Sequence, residues 1–131
     1  MLLYLLVALG GALGSVGRFA LNGVISAQFP TFPWGTLFVN VTGSFIIGFF
    51  STLTEPGGRV FAGSNARQFF MTGICGGYTT FSSFSLQTLA LAREGEWARA
   101  GANTVGSVVL CLVAVWLGHF CASLLNQMKG S

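Results

Sequence analysis

The sequence predicts an all-α integral membrane protein: four transmembrane helices, the third of them broken near Gly76 and Thr79. Three observations carry this reading. Of 131 residues, 53% are hydrophobic and only 7% charged, whereas a soluble domain carries about 25% charged residues. The apolar residues gather into four runs, about 2–25, 35–54, 68–91 and 101–126, each near the ~20 residues a helix needs to cross a bilayer. The third run interrupts its apolar character with paired glycines and a series of hydroxyls between Thr72 and Ser85. Together the runs make one four-span membrane domain, residues 1–131.

Composition also excludes whole classes. The net charge of +3 comes from six basic and three acidic residues, too few and too dispersed for nucleic-acid binding. Cys75, Cys111 and Cys121 all lie in apolar runs. Their odd count and their spacing match no metal motif, so they read as packing residues.

The first run has no early Lys or Arg and continues past signal-peptide length without a clear cleavage site, so it reads as a retained span. Gly10, Gly14 and Arg18 are spaced by four and share one helix face. Small residues at that spacing bring two helices close together. Arg18 itself has two readings. It is a cation snorkelling to the headgroups, or a charge that orders a pore mouth, since ionisable groups inside spans are functional candidates.

An uncharged connection with Pro30 and Pro33 leads into the second span, where Asn40 is the one strongly polar residue. Gly43, Ser44, Ile47 and Gly48 follow it as a mostly small stripe. An amide in hydrocarbon needs a partner, so Asn40 either joins helices or lines an ion path. A polar loop with Arg59 and Arg67 then precedes the third span. Glycine is costly in a helix interior, so Gly76-Gly77 invites a break there. Lipid tolerates irregular backbone only where it lines protein or a polar cavity. A broken helix exposes carbonyls suited to a cation from its first half and N–H groups suited to an anion from its second.

If helix restarts near Thr80, Phe81 and Phe84 stack at i,i+3, with Thr80, Ser83 and Gln87 on the adjacent face. The fourth span carries Asn103, Ser107 and Cys111 four apart, a polar and small ridge directed at protein. With four spans, Arg59, Arg67 and Lys129 share one side of the membrane. Arg93 and Arg99 lie on the other, joined by Arg18 if it snorkels. The Lys/Arg excess that normally fixes orientation is missing. Transporter folds often build a midplane site from inverted repeats, and a chain without an internal repeat gains that symmetry from two oppositely oriented copies. The expectation is an antiparallel, dual-topology homodimer whose twofold axis lies in the membrane plane. Two sets of carbonyls meeting on that axis suit one hard cation.

The carboxylates Glu55, Glu94 and Glu96 all fall in loops, which argues against a proton-coupled exporter of organic cations. The interior offers donors instead, from Thr79, Thr80, Ser83, Ser107, Asn40, Asn103 and Gln87. Donors and helix N-termini stabilise anions. A benzene ring has a positive edge, so Phe81 and Phe84 either pack plainly or pass a small dehydrated anion along their rims. His119, the one histidine, is far in sequence from Ser83 and near the end of another span, so it reads as a packed or interfacial residue rather than a hydrolytic base.

The run Gly73-Ile74-Cys75-Gly76-Gly77-Tyr78-Thr79-Thr80-Phe81-Ser82-Ser83-Phe84-Ser85 closely resembles the signature of the CrcB/Fluc fluoride channels. Trp34-Gly35-Thr36-Leu37-Phe38-Val39-Asn40 is similar to that family's second-span motif, Gly10-Gly11 through Gly14 to Arg18 to its first span, and Gly106-Ser107 to its fourth. The resemblance covers essentially the whole chain. It implies an antiparallel homodimer in the bacterial inner membrane that passes fluoride down its gradient, with two pores that each use residues of both subunits. On matching positions it implies Phe81 and Phe84 as pore phenylalanines, Asn40 as a pore-lining donor and Ser83, Thr80 and Ser107 as contacts along the path. It further implies a central structural sodium ion (Na+) on the dimer axis, held by the backbone carbonyls of Gly76 and Thr79. Two positions depart from the family pattern: Gln87 where many members have Glu, and Cys111 in a row that is commonly hydroxylated. The expected function is therefore a multi-pass membrane channel for the fluoride ion within the lipid bilayer, and not an enzyme. The alternatives are a dual-topology transporter of another small solute and a non-conducting assembly subunit.

Overall fold

The computed structural model describes residues 1–129, which are helical and connected by short loops with no strand among them. Helix α1 is Leu2–Gln28 and α2 is Trp34–Leu53. The short α3, Ser64–Gln68, widens into a π-helical segment, Phe69–Cys75, and tightens again into the single turn α4, Gly76–Tyr78. Helix α5 is Phe81–Arg93, and α6 is Trp97–Lys129. Of these, α1, α2 and α6 are long and apolar enough to cross a membrane. The remaining apolar run is divided at Thr79 and Thr80, so its two arms are each shorter than a span. The chain is an all-α membrane protein with three helices long and apolar enough to span and one interrupted helical run.

Local chemistry sets the ends. Helix α1 stops before Phe29, which turns out of the helical region at φ −133° and ψ 75°, as expected for a residue preceding proline. Helix α5 ends in a Schellman turn. Gly95 adopts φ +78°, and the N–H groups of Gly95 and Glu96 return to the carbonyls of Ala92 and Leu91 at 3.0 and 2.9 Å.

The helices pack as two pairs, α2 along α6 and α1 along the π-helical segment and α4. Both seams are backbone contacts made possible by glycine. A Cβ on Gly14 would collide with the Ile74 carbonyl, and one on Gly77 would lie 2.5 Å from the Gly11 carbonyl oxygen. On the other seam, Gly48 faces the Val115 carbonyl and Gly118 the Phe45 carbonyl with no space for a methyl group. Lipid tails are as apolar as the side chains, so helix association rests on such close packing. The Gly10–Gly14 stripe thus meets a neighbour, as its spacing requires.

One expectation needs correcting. Gly76 and Gly77 do not break the helix; both are helical, and Gly77 serves the contact with α1. The interruption comes next, at Thr79 (φ −88°, ψ 158°) and Thr80 (φ −151°, ψ 117°), both extended. Two consecutive β-branched residues favour that conformation. Thr80 then starts α5 as its N-cap, its hydroxyl accepting from the Ser83 N–H at 3.1 Å.

Candidate functional site

The site grows out of the interruption. Continuing the helix through Thr80 would send its N–H to the Gly76 carbonyl. Instead Asn40, from the middle of α2, takes it: Thr80 N–H donates to Asn40 Oδ1 at 2.7 Å, and Asn40 Nδ2 donates back to the Thr80 carbonyl at 3.0 Å. The Asn40 side chain therefore replaces the helical bond that the Thr80 N–H loses at the break, and adds a second donor to the Thr80 carbonyl. Asn40 joins helices and also lines the groove described below.

The same rearrangement frees acceptors. With Thr80 N–H on Asn40 and Ser83 N–H on the Thr80 hydroxyl, the carbonyls of Gly76 and Thr79 have no hydrogen-bond donor among the described residues. Gly77 does have one. Arg18 Nε donates to its carbonyl at 3.0 Å, placing a cation at the carbonyl end of the first arm, where the helix dipole favours it. Arg18 thus turns inward and does not snorkel toward the loop after α1.

Phe81 and Phe84 open the second arm. Their ring centroids are 5.3 Å apart with the planes tilted by 58°. Phe84 is 9% exposed and Phe81 76% exposed. A groove of about 380 Å³ unites both rings with Asn40, Thr80 and Ser107, and Gly76 and Thr79 also line it. Of the residues expected along the path, at its mouth or at the ion site, Ser83 and Arg18 lie outside it. Ser83 acts through its backbone on Thr80, and Arg18 serves the far side of the break.

The ridge on α6 is anchored beside the groove. Asn103 and Ser107 are buried; Asn103 Nδ2 donates to the Thr88 hydroxyl at 2.9 Å, and the Ser107 hydroxyl to Asn103 Oδ1 at 3.3 Å. Cys111 continues the row along the groove wall. The buried Oε1 of Gln87 has no hydrogen-bond partner among the described residues.

Sequence reasoning missed the Tyr78 phenol, which lies 2.8 Å from the Thr42 hydroxyl and steadies the last turn before the break against α2. Thr42, two residues after Asn40, was the available signal. His119 Nδ1 sits 2.7 Å from the Thr52 hydroxyl, an interhelical contact remote from the groove residues.

Comparison with known proteins gives a consistent picture. The model of the CrcB-like protein family (Camphor Resistance, CrcB) matches residues 5–119. A protein of Opitutus terrae named fluoride-specific ion channel FluC is 68% identical, with all of both chains covered. Proteins with the same name from Paramagnetospirillum magneticum and Rhodospirillum rubrum are 62% and 61% identical, covering 97% and 95% of this chain and 100% and 97% of theirs.

Proposed function

The chain belongs to the CrcB-like family, and we propose that it is a fluoride channel whose path follows the groove at the helix interruption. The full-length relatives named for fluoride conduction support this. The observation that carries the path is the meeting of a tilted phenylalanine pair with Asn40, Thr80 and Ser107 on one surface. It is a multi-pass protein of the plasma membrane, and its chemistry is conduction rather than catalysis.

Fluoride is small and strongly hydrated, so a path for it must replace water with donors and positive ring edges. Thr80 supplies a hydroxyl, Asn40 the amide edge, and Phe81 and Phe84 the rims; the Ser107 hydroxyl joins them by rotating its proton from Asn103 Oδ1 toward the path. Arg18 contributes a positive charge on the other side of the break and draws anions toward it.

The finer assembly belongs to the same proposal. The third span is completed by the two arms: α5 alone rises about 20 Å at ~1.5 Å per residue. One face of α5 leaves Phe81, Ser82 and Ser85 exposed, and hydroxyls facing hydrocarbon are unfavourable. A second copy in the opposite orientation covers that face, giving two pores that each draw on both chains. The donor-free carbonyls of Gly76 and Thr79 suit a sodium ion between the copies, since hard cations take oxygen ligands. Such an ion would neutralise those carbonyls and tie the two interruptions together.

Phe81→Ile and Phe84→Ile test the path. Both remove the ring edge while keeping an apolar side chain, so each abolishes or strongly reduces fluoride efflux from liposomes while the dimer still assembles. Wild-type efflux from both variants, measured with a fluoride electrode, refutes the ring-edge role.

A further inference from the structure

The two ends of the helix bundle are charged differently. One end carries Arg59, Arg67 and Lys129 with Glu55 as its one acidic side chain. The other carries Arg93 and Arg99 against Glu94 and Glu96, and there Arg99 and Glu96 approach to 3.9 Å. Basic residues are thus nearly balanced between the ends, but net positive charge is not.

At the positive end, hydrogen bonds of two of the cations tie the loop after α2 to the end of α6. The backbone N–H of Arg59 donates to Asn126 Oδ1 at 2.7 Å, and its guanidinium to the Leu125 carbonyl at 3.3 Å. Lys129 Nζ donates to the Gly58 carbonyl at 2.7 Å, one residue before Arg59. Asn126 Nδ2 fixes the base of this strap by donating to the Thr52 carbonyl at 2.8 Å. Each cation spends one side-chain donor on a carbonyl, and both residues are exposed, so further N–H groups remain for a ligand. Arg67 faces inward to the Ser51 carbonyl and the Thr54 hydroxyl and takes no part. Directly after Arg59 the loop presents Val60, 45% exposed, and Phe61, 93% exposed.

We infer that this strap is a binding site for the headgroup phosphate of an anionic phospholipid. Arg59 and Lys129 hold the phosphate, and Phe61 enters the interfacial layer beside the acyl chains. Paired cations attract anionic headgroups, and an aromatic ring prefers the headgroup level of the bilayer. The uncompensated charge argues for an anionic headgroup over a zwitterionic one. The opposite end lacks the site because its carboxylates already neutralise its cations.

The full chain, reconstituted in equal parts phosphatidylcholine and phosphatidylglycerol and released into native mass spectrometry, provides the test. Wild type retains phosphatidylglycerol in preference to phosphatidylcholine. Losing one surface cation weakens such binding about fivefold, so Arg59→Gln with Lys129→Gln weakens it on the order of 25-fold. Arg59→Lys, which keeps the charge, preserves retention, as does Arg93→Gln with Arg99→Gln at the other end. Retention by wild type also falls as salt is raised, a measurement that needs no variant. Three results overturn the assignment: undiminished preference in the Arg59/Lys129 double variant, equal loss in the Arg93/Arg99 variant, or salt-independent retention. Inorganic phosphate in detergent that stabilises wild type as well as phosphatidylglycerol does would also overturn it, marking a site for free phosphate.

Discussion

At the scale of single residues, Asn40 and Arg18 do the most with the fewest atoms. Asn40 supplies both a donor and an acceptor to one backbone residue, so no substitution of similar size reproduces it. Asn40→Asp keeps the acceptor for the Thr80 N–H, sets a carboxylate oxygen against the Thr80 carbonyl, and adds negative charge beside the anion path. Fluoride efflux is therefore blocked, and undiminished efflux would remove Asn40 from the path. Arg18→Ala acts on the other arm. It leaves the Gly77 carbonyl without a partner and destabilises the fold by about 1.5–3 kcal/mol, the range for hydrogen bonds to charged groups. Thermal unfolding in detergent reads this, and an unchanged midpoint contradicts the capping role.

At the scale of elements, the seams are glycine against backbone, so the cost of a methyl group depends on where it points. Gly77→Ala and Gly118→Ala push carbonyls of α1 and α2 aside and destabilise by about 1–3 kcal/mol each. Gly17→Ala, which meets open space, stays within about 1 kcal/mol of wild type. Equal unfolding midpoints for all three would show that the seams are not close-packed. The glycine stripes were legible in the sequence because four-residue spacing has one geometric meaning on a helix. The position of the break was less so. Glycine propensity pointed at residues 76 and 77, but tertiary contact with Gly11 holds Gly77 helical, and the threonines take the extended conformation instead. Arg18's partner was likewise hidden, because nothing in a sequence ties residue 18 to the carbonyl of residue 77. The groove residues were recognisable by type and motif; that Asn40 braces the backbone as well as lining the groove is visible only in three dimensions.

At the scale of the whole molecule, an interrupted span with donor-free carbonyls, an exposed phenylalanine and exposed serines makes an incomplete object in a bilayer. In the proposed assembly, a second copy and a sodium ion would complete it. Replacing sodium with a large organic cation is then expected to lower the thermal midpoint of the purified protein, since an ion bound only to the folded state at a hundred times its dissociation constant contributes about 2.7 kcal/mol. A midpoint indifferent to sodium removes the ion from the account. The proposed fluoride path makes the more direct demand. Wild-type protein in liposomes loaded with fluoride and chloride together is expected to release the fluoride and retain the chloride. Comparable release of both ions, or of neither from well-folded protein, contradicts it.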